Sequence, residues 1–270
     1  MITKLVFFGG GNMAEAIFSK IKDNKNFTIE VIQNNPERAQ QLQTSYPNIK
    51  VSHALDYHLT PNDIFIIAVK PQYAKEALQP IKEYIQNCLL ISVMAGIPCN
   101  TIINWVNNKR LIRTMPNTPA SIGLGATAIY YPPIVTDKEQ SVINSIFSAI
   151  GTIYQAPDET FVDKALPVTS SAVAFVYYFI EGLVNHAVAE FGFNEKDARE
   201  LVNQTVLGSS GMIRQNSDIA ISELRARVTS KKGTTEQGIL TFEKHDLHLI
   251  TAEAMDNCYN RALEMSKEFI

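Results

Sequence analysis

The residues best placed to do chemistry near the start of the chain are glycines. Leu5 to Phe18 reads LVFFGGGNMAEAIF, and Gly9, Gly11 and Ala14 fit the spacing G-x-G-x-x-(G/A). A first glycine permits a tight turn, and a second, lacking Cβ, lets backbone approach a pyrophosphate. A small third residue then lets helix pack on strand. Free N–H groups and the helix dipole at such a turn favour phosphate charge. The chemistry on offer is dinucleotide binding. A glycine-rich turn that binds nothing is the competing reading, and the strand before and helix after it favour the first.

Which dinucleotide is decided at the end of the second strand. A carboxylate there, about 20 residues beyond the glycines, suits an unphosphorylated ribose. This chain instead reads Gln33-Asn34-Asn35-Pro36, with Glu30 earlier inside the strand and Arg38 close behind. Amides and a nearby cation suit a 2′-phosphate, so NADPH is expected, with NADH as the alternative donor. Arg38 itself reads equally well as a solvated helix residue.

Three further segments should end on the same side, beyond the carboxyl ends of the strands: AVKP (Ala68–Pro71), SVMAG (Ser92–Gly96) and RTMPNTPA (Arg113–Ala120). Each puts proline or glycine where a strand stops, and together they outline a crevice. A second polar loop, VTSKKGTTEQG, runs from Val228 to Gly238. Gly233-Thr234-Thr235 before Glu236 looks like a helix start whose hydroxyls and N–H groups suit a small carboxylate, or serve as plain capping. His245 and His248 could share a helix face, but they lack a third metal ligand.

The elements that must position these groups follow from patterning. Strand-like runs are Lys4–Phe8, Thr28–Gln33, Asp63–Val69, Leu89–Met94 and Leu111–Thr114, and Ala126–Tyr131 pairs with Thr152–Gln155. Helix-like runs are Asn12–Ile21, Pro36–Tyr46, Tyr73–Ile85 and Thr101–Val106, with another from near Asp137. Alternation of this kind implies a parallel sheet covered by helices on both faces. After Pro157 strand signals stop. Helices then run to the C-terminus, punctuated by Gly192, a turn at Ser209–Gly211 and the loop around Gly233. The expected division is an α/β dinucleotide domain, residues 1–157, and an all-helical domain, residues 158–270. The apolar segment Ala165–Phe191 carries Thr169, Ser170, Ser171, Glu181, Asn185 and His186. It reads as a buried or interface helix rather than a membrane span.

Composition is that of an ordinary soluble protein: 270 residues, 46% hydrophobic, 19% charged, net charge −3. Scattered charge gives no reason to expect nucleic acid or a membrane surface as partner. Cys88, Cys99 and Cys258 form no CxxC pair, which suits thiols in a reducing, cytoplasmic compartment.

FFGGGNMAEAI, DIFIIAVKPQ, SVMAGI, RTMPNTPASIGLGAT, LVNQTVLGSSGMI and VTSKKGTTEQGI, in this order, resemble the pyrroline-5-carboxylate reductase family. The resemblance spans nearly the whole chain. It implies an N-terminal Rossmann domain and a C-terminal helical domain that dimerises, in that family often within a decamer. It also implies hydride transfer from a reduced nicotinamide to the imine carbon of a cyclic imine carboxylate. Gly9, Gly11, Asn12 and Met13 would border the pyrophosphate, and Asn34 the ribose phosphate. Ala68, Val69, Lys70, Pro71, Ala95, Gly96 and Asn117 would line the nicotinamide half. Ser230, Gly233, Thr234 and Thr235 would hold the substrate carboxylate, with the Thr235 hydroxyl as donor at the ring nitrogen. Two stretches depart from the family pattern. Thr169-Ser170-Ser171-Ala172-Val173-Ala174-Phe175 replaces Ser-Gly-Ser-Gly-Pro-Ala-Tyr, and Lys231-Lys232 replace Pro-Gly before Gly233. Other readings are a reductase of another cyclic imine or hydroxyacid, and a dinucleotide sensor without turnover.

Overall fold

The computed structural model describes residues 2–268. By chain contacts they fall into two compact units, one running to Ser171 and resuming at Asn257, the other Ala172–Asp256.

The first unit is built on an eight-stranded sheet. Its strands are β1 (Thr3–Phe8), β2 (Phe27–Ile32), β3 (Lys50–Ser52), β4 (Ile64–Ile67), β5 (Leu89–Ser92), β6 (Leu111–Met115), β7 (Gly125–Tyr130) and β8 (Gly151–Gln155). Their order across the sheet is 3-2-1-4-5-6-7-8. All neighbours are parallel except β6 and β7. The helices between them are α1 (Asn12–Ile21), α2 (Pro36–Ser45), α3 (Pro71–Leu78), α4 (Cys99–Val106) and α5 (Asp137–Ser148). Every residue of β4 and β5 is buried, as strands covered on both faces must be. Leu5 and Phe7 pack on one face against Ile17 and Phe18, while Val6 packs on the other with Phe65 and Leu78. Successive side chains of β1 thus feed two cores.

The alternation read from sequence is present, with local corrections. Strand β3 was not anticipated, because three residues carry no readable period. The run expected as one helix from Tyr73 starts at Pro71, which suits a first helical position. It gives way at Gln79-Pro80 to a 3-10 helix ending at Ile85, since Pro80 has no N–H to continue the α ladder. A further 3-10 turn, Thr118–Ile122, follows the β6 tip. Helix α5 opens with a reciprocal capping box between Thr136 and Glu139, which fixes its start near Asp137.

Beyond Pro157 the chain is helical: α6 (Thr160–Ala165), α7 (Ala172–Ala189), α8 (Glu195–Gln215), α9 (Ile221–Arg227), α10 (Thr234–Lys244) and α11 (Leu247–Glu268). No turn occurs at Ser209–Gly211, which lies inside α8. Glycine in a helix interior costs about 1 kcal/mol relative to alanine. A 21-residue helix capped by Asn194 on the Asp197 amide absorbs that. The stretch Thr169–Phe175, which departs from the family pattern, lies inside a longer helix. Thr160–Ala189 is continuous helix, with a π turn at Leu166–Ser171 where Pro167 lacks the amide needed for regular pairing. His245 caps α10 while His248 lies in α11, so they share no helix face. Among the described residues no group of His, Cys, Asp and Glu could hold a metal ion.

The second unit has almost no interior of its own. Ala198 is its only buried residue, and Val176, Tyr177, Tyr178, Phe179 and Leu183 on α7 are exposed. Helix α7 packs on α8, and Phe179 meets Phe242 with ring centroids 6.1 Å apart. The apolar segment Ala165–Phe191 is therefore not a core helix of the single chain.

Candidate functional site

Strand order reverses between β1 and β4, where one neighbouring connection runs toward β2 and the other toward β5. Crevices open at such a switch point, beyond the carboxyl ends of the strands. Phe8 pairs with Ile67 there, so Gly9 and Ala68 leave the sheet side by side. The Gly9 amide donates to Ile32 O (2.9 Å) and the Ala68 amide to Phe8 O (2.9 Å), extending the ladder by one residue. Gly9 has φ +102°, and a Cβ on it would stand 2.7 Å from Ala68 O. At Gly10 the same space is taken by side chains instead, Leu42 Cδ1 at 2.5 Å and Gln33 Nε2 at 3.2 Å. Gly11 is the opposite case. A Cβ there would meet nothing within 4 Å, so internal packing does not require a glycine at that position. Gly11 is also the N-cap of α1, and among the described residues no side chain caps that helix. The first-turn amides, from Asn12 and Met13 onward, are free to meet an anion. The cradle fits a pyrophosphate.

The other expected dinucleotide residues gather at neighbouring strand ends. Val69 and Lys70 follow β4, and Pro71 opens α3 with Lys70 as N-cap. Ala95 and Gly96 follow β5, and Gly96 has φ +73°. A Cβ on Gly96 would lie 3.9 Å from Met265 Cβ on α11. Asn117 follows β6, and its carboxamide is already engaged: Oδ1 accepts from the Ala126 amide and Nδ2 donates to Thr169 O, both at 2.9 Å. Asn117 thus ties β7 to the π turn. Asn34 is exposed at the tip of β2, and Asn35 caps α2 by accepting from the Arg38 amide at 2.9 Å.

Ser230, Gly233, Thr234 and Thr235 come together in the second unit, at the turn into α10. The Gly233 amide donates to Ser230 O (2.9 Å), and a Cβ on Gly233 would strike Ser230 Oγ at 2.3 Å. Thr234 and Thr235 are exposed in the first turn of α10, where among the described residues no side chain supplies a cap. Lys231 and Lys232 are exposed, and Lys232 takes the left-handed φ of +61°. Its amide donates to Glu236 Oε2 at 2.6 Å.

Residues 159–265 match the family model described as pyrroline-5-carboxylate reductase dimerisation, and residues 4–96 that of NADP oxidoreductase, coenzyme F420-dependent. The pyrroline-5-carboxylate reductase of Vibrio alginolyticus is 33% identical over 276 residues, covering 98% of each chain. Among solved structures, a pyrroline-5-carboxylate reductase from Coxiella burnetii superposes with TM-score 0.85 at 27% identity, covering 97% of each chain. The Plasmodium falciparum pyrroline carboxylate reductase with NADP bound gives TM-score 0.83 at 25% identity, covering 97% of this chain and 98% of that one.

The chain belongs to the pyrroline-5-carboxylate reductase family. It is thereby an oxidoreductase of NADP-dependent type with an α/β domain and a helical dimerisation domain.

Three groups in this family member had no visible signal in the sequence. Arg113 in RTMPN is 1% exposed. Its Nη1 reaches Glu159 (3.1 Å) and Asp163 (3.0 Å), and its Nη2 reaches Asp163 (2.5 Å). Glu159 also accepts from the Cys99 amide at 2.6 Å, so Arg113 fastens α6 to β6 while Glu159 links it to α4. Glu30, expected only as an acid inside a strand, is 1% exposed. It accepts from Tyr57 (2.6 Å), Ser52 (2.7 Å), Lys4 (2.9 Å) and Lys50 (2.9 Å). Burial alone would raise its pKa, but those four donors outweigh it and hold the carboxyl at about 2. The third group is Glu15, which pairs with Arg38 beside the glycine turn. The partners lie 20 to 60 positions apart, beyond the reach of any local pattern.

Proposed function

We propose that this chain reduces 1-pyrroline-5-carboxylate to L-proline, with NADPH as the preferred donor. The observation that carries the reading is the glycine cradle at the β1/β4 switch point, in a chain matched to a family relative over 98% of its length. When bound, reduced nicotinamide supplies a hydride to the imine carbon. Gly9, Gly11, Asn12 and Met13 border the pyrophosphate in this reading, and Asn34 the ribose phosphate. Ala68, Val69, Lys70, Pro71, Ala95 and Gly96 form the backbone wall beside the nicotinamide. Asn117 shapes that wall through its bonds to Ala126 and Thr169. The uncapped start of α10 receives the substrate carboxylate through Ser230, Gly233 and Thr234, with the Thr235 hydroxyl donating at the ring nitrogen. The protein's contribution is orientation and one proton-side contact.

The division of labour that goes with this is a dinucleotide domain over 1–157 and a helical domain over 158–270. The helical domain self-associates through the apolar face of α7, as a dimer or a multiple of it such as a decamer, in the cytoplasm. Thr160–Ala189 is long and apolar enough to cross a membrane by length and composition. A second copy is the better cover, because α7 belongs to a unit whose other helices also lack an interior.

The test is oxidation of NADPH and NADH by the purified protein with pyrroline-5-carboxylate, followed at the reduced-nicotinamide absorbance band. Turnover with NADPH is expected. A protein that binds NADPH but never turns over this imine would instead be a sensor or act on another substrate.

A further inference from the structure

Helix α2 begins directly beyond the tip of β2, and its third residue is Arg38. The guanidinium reaches back across the β1 side of the site. Nε donates to the carbonyl of Gly10, the middle residue of the glycine turn, at 2.9 Å. Arg38 therefore spans the gap between glycine turn and second-strand tip, where a dinucleotide fold seats the adenosine ribose. Nη2 bonds to Glu15 Oε2, and Nη1 has a 3.5 Å contact with Gln41. Glu15 lies one turn into α1, and its other oxygen accepts from Tyr46 Oη at 2.9 Å. The Tyr46 ring stands edge-on to buried Phe18, centroids 5.2 Å apart. Glu15 is thus held by the α1/α2 packing, not free to swing away when a ligand arrives.

We infer that Glu15 sets how far this chain prefers NADPH to NADH, acting as the resident counter-charge on Arg38, which bridges the glycine turn and the second-strand tip. The inference rests on the dinucleotide reading above. A 2′-phosphate brings a charge of about −1.5 to −2. Arg38 attracts it, and the carboxylate bonded to Arg38 opposes it. Glu37, exposed beside Arg38 in the same first turn, adds to the opposition. NADH has a neutral hydroxyl there and is indifferent to either. The carboxylate that conventionally marks NAD preference sits at the second-strand tip; here a carboxylate enters the same neighbourhood from α1. Discrimination between the two dinucleotides is accordingly narrow in the native chain, and Glu15 is what narrows it.

Glu15→Gln is the informative change, because the amide oxygen still accepts from Arg38 or Tyr46 while the charge is gone. Dissociation constants are read by the fluorescence of reduced nicotinamide on titration, with NADPH and NADH each as probe. For Glu15→Gln, tighter NADPH binding by about three- to tenfold at low salt is expected, with NADH changed less than about twofold and the effect shrinking as salt rises. Arg38→Gln should move the ratio the other way. An unchanged or lowered NADPH-to-NADH preference in Glu15→Gln would overturn the inference and leave Glu15 as an anchor for Arg38. If the native protein binds neither dinucleotide, the cofactor reading falls, and this inference with it. Native binding with an unmoved ratio removes the inference alone.

Discussion

A Cβ built on Gly9 stands 2.7 Å from the carbonyl oxygen of Ala68, and Gly9 holds φ at +102°. Both facts belong to one place: β1 and β4 end side by side at the switch point, and their first residues past the sheet remain in contact. Gly9→Ala must relieve the clash by spreading β1 from β4 and must also carry the backbone strain of an L-residue. Destabilisation of at least about 2 kcal/mol is expected. Dinucleotide affinity should fall together with stability, because the cradle and the strand ends move as one. Thermal unfolding and NADPH titration of the variant check this; an unshifted Tm would show that the strand ends tolerate the spread.

Glu30 gives a pH dependence that can be signed. Its ordinary value of 4.5 falls to about 2 in the folded chain. An acid with a lowered folded-state pKa adds stability above its unfolded value and gives it up as pH falls toward the folded one. The contribution is then complete above about pH 4.5 and lost progressively down to about pH 2. Its size is about 3 kcal/mol at neutral pH, since each tenfold change in proton affinity is worth about 1.4 kcal/mol. Denaturant unfolding at pH 6 and pH 3 should show the loss, and Glu30→Gln should flatten it. Equal pH slopes in both proteins would assign the acid sensitivity elsewhere.

How much of this was legible in the residues depends on the range of the interaction. Gly9, Gly11 and Ala14, the cap at Asn35-Pro36 and the box Thr136–Glu139 are local devices, and the elements they control begin where the sequence places them. Lys50–Ser52 and the 3-10 turn at Thr118–Ile122 are too short for a period to be seen. Ser209–Gly211 reads as a turn by type, yet it stays helical because the length and cap of α8 outweigh local preference. Glu15–Arg38, Arg113–Asp163 and Glu30–Tyr57 are products of topology. No window of sequence contains both partners. The π turn is intermediate: Pro167 announces a fault in the helix but not that the helix continues through it.

Lys232 is a lysine in a conformation that favours glycine, at φ +61°. A left-handed backbone costs an ordinary L-residue about 1 kcal/mol, and glycine removes that at some cost in unfolded-state entropy. Lys232→Gly should therefore be neutral to stabilising, by up to about 1 kcal/mol. The exposed ammonium is lost in the same change, so KM for the imine acid separates two roles. An unchanged KM makes Lys232 a turn residue only. A raised KM, with stability kept, places its charge in substrate recognition.

Thr235 stands in the exposed first turn of α10, in the unit distinct from the glycine cradle. Thr235→Ala removes one hydroxyl and leaves the backbone amides of that turn in place. A fall in kcat of about 10- to 100-fold is expected, the lower range for a group that assists proton transfer. NADPH affinity should stay as it is. Full turnover in the variant would remove the hydroxyl from the reaction and leave the α10 amides to bind the carboxylate alone.

Self-association follows from the poverty of the second unit's interior. Eighty-odd residues with Ala198 alone buried cannot offset the entropy of ordering them. Tyr178 is 79% exposed in the single chain, and Tyr177, Phe179 and Leu183 lie beside it on α7. If a second copy covers this face, stability is linked to protein concentration, and Tm rises on concentrating the sample. Sedimentation should give a dimer or a multiple of it, and Leu183→Glu or Tyr178→Glu should weaken association by at least about tenfold. The same substitutions should lower Tm, because the unit loses its only extensive apolar cover. A monomer with concentration-independent Tm would contradict this. Vesicle binding by the native chain, abolished by the same charges, would mean that lipid is what α7 faces.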